Sequence, residues 1–330
     1  MKKKSEPGIV RGCYAAIDLG TNNCRMIIAI NREDSLEIVA SYSRIVRLGE
    51  GLAETGVLSH AAMDRTIEAL SICANRIKKI GVDKICAVAT DACRRAENAD
   101  IFLSRIKSET GLDFEIITPE KEAGYALIGC SPLIDTTSER SIIFDIGGGS
   151  TEIIIVDSRS LNLDRCISMG LGVVGLTEKY GGNFLSEEDF ESMVYEVSIP
   201  VREFMITLER DGIEINSQVQ LIGTSGTLTT LGGVYLNLDR YDRDRVDGLN
   251  ISIKDIEIMI RRLLSMGYAE RSAIPCVGEG RGDVVLAGCA ILKAIISMIP
   301  VQKLIVADRG LREGILQEMI KNNGRYKALV

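Results

Sequence analysis

Two stretches of the chain share one pattern: an apolar run, a tight polar turn opening on Asp-x-Gly, and a second apolar run. The first is Tyr14-Ala-Ala-Ile-Asp-Leu-Gly-Thr-Asn-Asn-Cys-Arg-Met-Ile-Ile-Ala-Ile30. The second is Ser141-Ile-Ile-Phe-Asp-Ile-Gly-Gly-Gly-Ser-Thr-Glu-Ile-Ile-Ile-Val156. Short β-branched runs bounded by turn residues read as strands, so both stretches predict hairpins. Further strands are predicted over 36–46, 85–89, 114–117, 219–222 and 303–307, with a segment near 165–168. Apolar residues at three- and four-residue spacing predict helices over 61–80, 99–110, 174–180, 187–210, 254–266, 284–299 and 311–321. A short helix starts near Pro119, with Thr118 as its N-cap. Ser186 opens the helix over 187–210, and Pro200 is expected to interrupt it.

Strands alternating with helices predict an α/β protein, with helices packed on mixed sheets. Duplicated Asp-x-Gly hairpins, each followed by a similar order of elements, point to two ribonuclease-H-like halves facing a cleft. The polar stretch 135–140 is the natural boundary.

The turns carry the candidate chemistry. Gly147, Gly148 and Gly149 lack Cβ atoms, so backbone N–H groups can approach a phosphate closely. Ser150 and Thr151 add hydroxyls, and Asp145 and Glu152 place carboxylates at the mouth of the turn. Asp18 ends the matching first strand, followed by the polar turn Gly20-Thr21-Asn22-Asn23. The aspartates suit a hydrated Mg²⁺ between protein and phosphate. A third loop, Gly223-Thr-Ser-Gly-Thr227, lies between a strand and a helix, where N-terminal amides favour an anion. Its Ser225, Gly226 and Thr227 read either as phosphate ligands or as a capped helix start. Arg94, just after a strand, suits a bidentate phosphate contact or belongs to a solvated basic pair. Glu122 falls in the first helical turn after Pro119. It reads as a base for water or as a surface residue matched to the helix dipole.

Composition narrows the classes. The 330 residues suit two domains, and 46% hydrophobic residues allow each a core. A net charge of −7 argues against a general nucleic-acid binder. Nine cysteines without a Cys-x-x-Cys pair read as free thiols of a reducing, cytoplasmic compartment. No apolar core follows Lys2, Lys3 and Lys4, and no stretch suits a bilayer, so neither a signal peptide nor a membrane span is expected. The single histidine, His60, sits at a helix start and directs the search for a general base towards carboxylates.

In order along the chain stand Asp18-Leu-Gly-Thr-Asn, Ala89-Thr-Asp-Ala-Cys-Arg94, Pro119-Glu-Lys-Glu-Ala123, Asp145-Ile-Gly-Gly-Gly-Ser-Thr-Glu152, Ser225-Gly-Thr227 and Asp308-Arg-Gly-Leu-Arg-Glu-Gly314. This set resembles the exopolyphosphatase/guanosine pentaphosphate phosphohydrolase family, within the actin-like ATPase superfamily. The resemblance implies release of terminal phosphate from inorganic polyphosphate, or of the 5′ terminal phosphate from guanosine pentaphosphate, by Mg²⁺ and water. It implies Glu122 as catalytic base and Arg94 as a phosphate ligand. Asp18, Asp145 and Glu152 become the metal set, and Thr21, Asn22, Gly147–Thr151 and Ser225–Thr227 the phosphate loops. It implies a discontinuous first domain (1–123 plus 310–330), a second over 124–309, and a homodimer.

This chain departs from the family pattern in three ways. Gly124-Tyr125 stand in the neighbourhood where many members carry an arginine, which weakens one expected phosphate contact. Asn23 replaces a common serine, which makes that contact an amide. No helical histidine-aspartate-type domain of the longer members is expected after the actin-like pair, so long-chain processivity is expected only if a dimer supplies the surface. Two other readings predict different behaviour. An ATP-dependent small-molecule kinase of the same superfamily would consume an acceptor without hydrolysing polyphosphate. A non-catalytic nucleotide-gated scaffold would bind nucleotide tightly and polymerise with negligible turnover.

Overall fold

The structure, a computed structural model, describes residues 10–32, 35–183 and 185–321. The Lys2–Lys4 segment and the outer ends of the expected first domain (1–9 and 322–330) lie outside the described residues. Strands β1 (Val10–Leu19), β2 (Asn23–Arg32), β3 (Ser35–Ile45), β4 (Lys84–Ala89) and β5 (Phe114–Ile116) form one sheet in the order β3-β2-β1-β4-β5. The tight turns make β1, β2 and β3 antiparallel. The long helical crossovers make β4 parallel to β1 and β5 parallel to β4.

The second half repeats this plan. Its strands are β6 (Arg140–Ile146), β7 (Thr151–Asp157), β8 (Asn162–Met169), β9 (Gln220–Thr224), β10 (Leu249–Ser252) and β11 (Lys303–Ala307). They are ordered β10-β11-β9-β6-β7-β8. Again the hairpin strands run antiparallel, β9 is parallel to β6, and β11 is parallel to β9. The expected α/β class and its two mixed ribonuclease-H-like sheets are therefore present, with β10 as an added edge.

Strand alternation decides where the aspartates point. Along β1, Ala15, Ile17 and Leu19 pack under the helices His60–Ile80 and Ala99–Thr110. Tyr14 and Ala16 pack on the opposite side against Tyr125, Leu311, Ile315 and Met319. Asp18 shares the face of Tyr14 and Ala16. In β6, Ile142, Phe144 and Ile146 join the large core of the second half. Ile143, on the face of Asp145, packs with Ala123, Ala126, Leu127 and Cys130. The helix Pro119–Cys130 thus serves both sheets, with Tyr125 on one and Ala126 on the other. The last helix, Leu311–Lys321, crosses it in backbone contact. A Cβ on Gly129 would run into the Gly310 carbonyl, and one on Gly314 into the Tyr125 carbonyl. Both aspartates end their strands beside this helix pair.

Several local expectations change. The helix Glu187–Arg210 continues through Pro200. An internal proline costs about 3 kcal/mol; burial of Phe190, Met193, Val197, Val201, Phe204 and Leu208 offsets it. The loop Gly223–Thr227 passes from Gly226 into the helix Gly226–Tyr235, capped by Ser225 as one of its two readings had it and buried through Leu228, Leu231 and Val234. Its Gly232 and Gly233 leave room for Val246 and Cys276, an advantage invisible to helix propensity. The short helices Leu52–Thr55 and Asp91–Arg95 carry too few residues for a periodic signal. All nine cysteines are free thiols, eight of them buried. Among the described residues, no helix is long and apolar enough to cross a membrane.

Candidate active site

The two hairpin turns have one geometry. Asp18 stands opposite Arg25, and Asp145 opposite Glu152. The Gly20 N–H donates to the Asn23 carbonyl at 2.9 Å, and the Gly147 N–H donates to the Ser150 carbonyl, also at 2.9 Å. The turns face and touch each other. A Cβ on Gly148 would lie 2.8 Å from the Asn22 nitrogen. One on Gly149 would overlap the Asp91 carboxylate and sit 2.5 Å from Thr21 Oγ1. Expected to make room for phosphate, these two glycines first make room for the opposite turn.

A cavity of about 110 Å³ lies where the turns meet. Asp18, Thr21, Asn22, Glu122, Asp145, Gly147, Gly148, Gly149, Ser150, Ser225, Gly226 and Thr227 all line it. Arg94, Thr151 and Glu152 stand behind this lining. The Thr151 hydroxyl donates to the Leu171 carbonyl at 2.7 Å. Glu152 is 2% exposed, and its Oε1 accepts from the hydroxyls of Ser150 (2.7 Å) and Ser168 (2.6 Å).

Local sequence aims Glu122 into the cavity. Thr118 caps the helix by accepting from the Lys121 N–H, and Pro119 fits the first helical position. Arg94, in the short helix after β4, donates from Nη1 to Glu122 Oε2 at 2.7 Å and to the Ile117 carbonyl at 2.9 Å. Burial first, and Glu152 second, push the Glu122 carboxyl well above the ordinary carboxylate range; Arg94 pulls it partly back. Asp145 is pushed up to about 8, by burial, then Glu152 and Asp18, against Arg25 and Arg312. Burial likewise raises Asp18, with Arg25 and Arg312 opposing. Asp18, Glu122 and Asp145 thus share one cavity, with Glu152 behind it, at a cost that a bound cation lowers.

Ser225 adds backbone strain. Its φ of 138° is a conformation that residues other than glycine rarely adopt. It turns the hydroxyl onto the N–H groups of Thr227 (3.1 Å) and Leu228 (3.4 Å). The start of that helix is thereby presented to the cavity.

Residues 27–323 match the model of the Ppx/GppA phosphatase family. The chain belongs to that family. It is 30% identical over 308 residues to the guanosine-5′-triphosphate,3′-diphosphate pyrophosphatase of Photobacterium profundum, a match covering 93% of this chain and 59% of that protein. It therefore spans well under two thirds of that curated relative. The crystal structure of the Aquifex aeolicus Ppx/GppA family member shares 31% identity with a TM-score of 0.76, over 95% of this chain and 99% of that one. That of an exopolyphosphatase from Cytophaga hutchinsonii shares 25% identity with a TM-score of 0.85, over 94% and 98%. The family resemblance carried by the motifs is confirmed.

In this Ppx/GppA protein the cavity also holds charged residues to which the motif reading gave no role. Arg25 and Arg281 reach it from opposite halves; a Cβ on Gly226 would lie 3.2 Å from an Arg25 nitrogen and 4.0 Å from the Arg281 guanidinium carbon. Arg281 donates to Thr230 Oγ1 at 2.9 Å. Arg25 had one sequence signal: it occupies in the first hairpin the register of Glu152 in the second. Arg281 had only its place among glycines, in Gly278-Glu-Gly-Arg-Gly282. Asp91 enters with the helix that carries Arg94.

The donor set fits a divalent cation of the Mg²⁺ type. Such an ion takes one or two carboxylates and keeps water on its other positions. Asp18 and Asp145 supply two carboxylates on one cavity floor, both pressed towards their protonated forms by burial. Among the described residues, no group of three or more acidic, cysteine or histidine side chains converges as a closed metal cage. The buried Thr21 Oγ1 and Asn23 Oδ1 have no hydrogen-bond partner among the described residues and face this region.

Proposed function

We propose that this Ppx/GppA family member is a Mg²⁺-dependent phosphohydrolase that releases the terminal phosphate of inorganic polyphosphate or the 5′ terminal phosphate of guanosine pentaphosphate. One observation carries the reading. A buried carboxyl with a raised pKa, Glu122, faces two Asp-x-Gly turns across one small cavity and is oriented by Arg94. A base of this kind works best when its pKa lies near the working pH.

Glu122 takes a proton from water, and the water oxygen attacks the terminal phosphorus. The P–O anhydride bond breaks, and the leaving oxygen keeps the electron pair. Amides of the turns 20–23 and 147–150, together with the Ser225–Thr227 helix start, bind the equatorial oxygens, where charge must be neutralised. Arg94, behind the cavity lining, holds the Glu122 carboxylate in position and adds positive charge near the same oxygens. Asp18 and Asp145 would hold the metal, with Glu152 behind them; when bound, the metal neutralises phosphate oxygens. Names of relatives support both substrates, since one is a guanosine-phosphate pyrophosphatase and another an exopolyphosphatase. Free buried thiols support a cytoplasmic setting, and the homodimer rests on the family resemblance.

The test is phosphate release by Glu122→Gln with Mg²⁺. A loss of about a hundredfold or more is expected with substrate binding retained. Near-normal release would overturn the assignment of the base.

A further inference from the structure

The first phosphate turn is held from behind by one loop. The Asn22 carbonyl accepts from the N–H groups of Val46 (2.9 Å) and Arg47 (3.0 Å), and the Thr21 carbonyl accepts from the Gly49 N–H (2.9 Å). Within this loop Arg47 has a φ of 48°, in the left-handed region that non-glycine residues enter only under constraint. Arg65 fixes that conformation by donating to the carbonyls of Val46 (3.1 Å) and Arg47 (3.3 Å).

The Arg47 side chain crosses to the other half. Its Nη2 donates to Asp283 Oδ2 at 2.8 Å. Asp283 is braced too: its Oδ1 accepts from the Val284 N–H at 3.0 Å. Val284 and Val285 line the catalytic cavity. One ion pair therefore ties the support of the first turn to a wall of the cavity formed by the second half. Beside it, the Gly51 N–H donates to Glu178 Oε1 at 2.9 Å across the same gap.

We propose that Arg47 is a positioning residue for the reaction proposed above: its pairing with Asp283 sets the spacing between the two phosphate turns. The turns touch through Gly148 and Gly149, so the spacing has little tolerance. Arg47 does not line the cavity, so its influence runs through the turn and not through the phosphate. Without the ion pair the halves separate more often, and substrate must close them at the expense of its apparent affinity. Once substrate has closed the halves the same contact between the turns is restored, so the chemical step itself is little changed.

The test uses the full-length protein with Mg²⁺ and a short polyphosphate. Arg47→Ala and Asp283→Ala should each raise KM about three- to tenfold, with kcat within about twofold of the parent. The double alanine variant should match the single ones. The charge exchange Arg47→Asp with Asp283→Arg should recover most of the loss, which an effect of general destabilisation would not do. Small-angle scattering without substrate should show a larger radius of gyration for Arg47→Ala, returning to the parent value when substrate is added. Additive losses in the double variant would overturn the proposal. So would a fall in kcat for Arg47→Ala without its counterpart in Asp283→Ala, because Arg47 would then touch substrate. If the parent protein released no phosphate, the hydrolase reading would fail, while an unchanged radius in Arg47→Ala would separately overturn the positioning role.

Discussion

Asp145 and Glu152 stand directly opposite each other on β6 and β7, two like charges at a cross-strand pair. Like charges so placed repel unless one is neutralised. In the first hairpin the same register holds Asp18 and Arg25, an opposite-charge pair. The duplicated hairpins are thus alike in backbone and different in charge. The excess of acid on one side is where a cation or a proton belongs.

That excess predicts a stability profile in metal-free buffer. Asp145 has its folded pKa raised to about 8, so its contribution is present at acid pH and is lost as pH rises from its unfolded value through 8. Asp145→Asn should flatten this decline and raise the melting temperature at pH 8. A melting profile against pH with a chelator present decides it; an unchanged slope would show that Asp145 does not carry the proton.

Metal should reverse the same decline. Binding to Asp18 and Asp145 requires their ionised forms, so the rise in melting temperature on adding Mg²⁺ should be larger near pH 8 than near pH 6. Asp18→Asn and Asp145→Asn should each remove most of that increment. Mn²⁺ bound to the parent protein gives a second readout by electron paramagnetic resonance, and its retention in both variants would refute this metal site.

Arg94 lowers the Glu122 pKa against burial and Glu152. Arg94→Gln should therefore let Glu122 keep its proton to higher pH, moving the acid limb of the kcat/KM profile upward. The rate should also fall on the order of a hundredfold, as for loss of one donor at developing charge. A rate loss with the limb unmoved would make Arg94 a phosphate ligand only.

Gly149→Ala places a methyl group against Asp91 of the short helix after β4 and against Thr21 of the opposite turn. Gly129→Ala places one against the Gly310 carbonyl between the crossing helices. The first should raise KM and lower kcat with little change in melting temperature. The second should destabilise the fold by about 1–3 kcal/mol, the usual cost of overpacking. Thermal melts beside kinetics separate the two; unchanged KM and kcat in Gly149→Ala would remove the case for contact between the turns.

Much of this was legible in residue order. Strands such as Lys303–Ala307 follow from β-branched runs, and the Pro119 helix from its Thr118 cap. Asp-x-Gly at the ends of two matched strands located both turns. The capped start of the helix Gly226–Tyr235 was one of two readings of its loop, but its extent was hidden because threonine and glycine are poor helix formers, and buried neighbours make that sequence helical. Pro200 misled for the same reason: packing outweighed a local penalty.

The sequence alone determined the duplication, the α/β class and the family, and nominated the candidate site residues, because each rests on local patterns of side chains. Tertiary structure decided which of them meet. It joined Arg25 to Arg281, Arg94 to Glu122 and Arg47 to Asp283, pairs separated by up to 256 positions. It also showed that Gly148 and Gly149 accommodate a facing turn as well as a ligand. Residues far apart in the chain share no local pattern, and only the packing of two sheets about one helix pair brings their charges into a common volume.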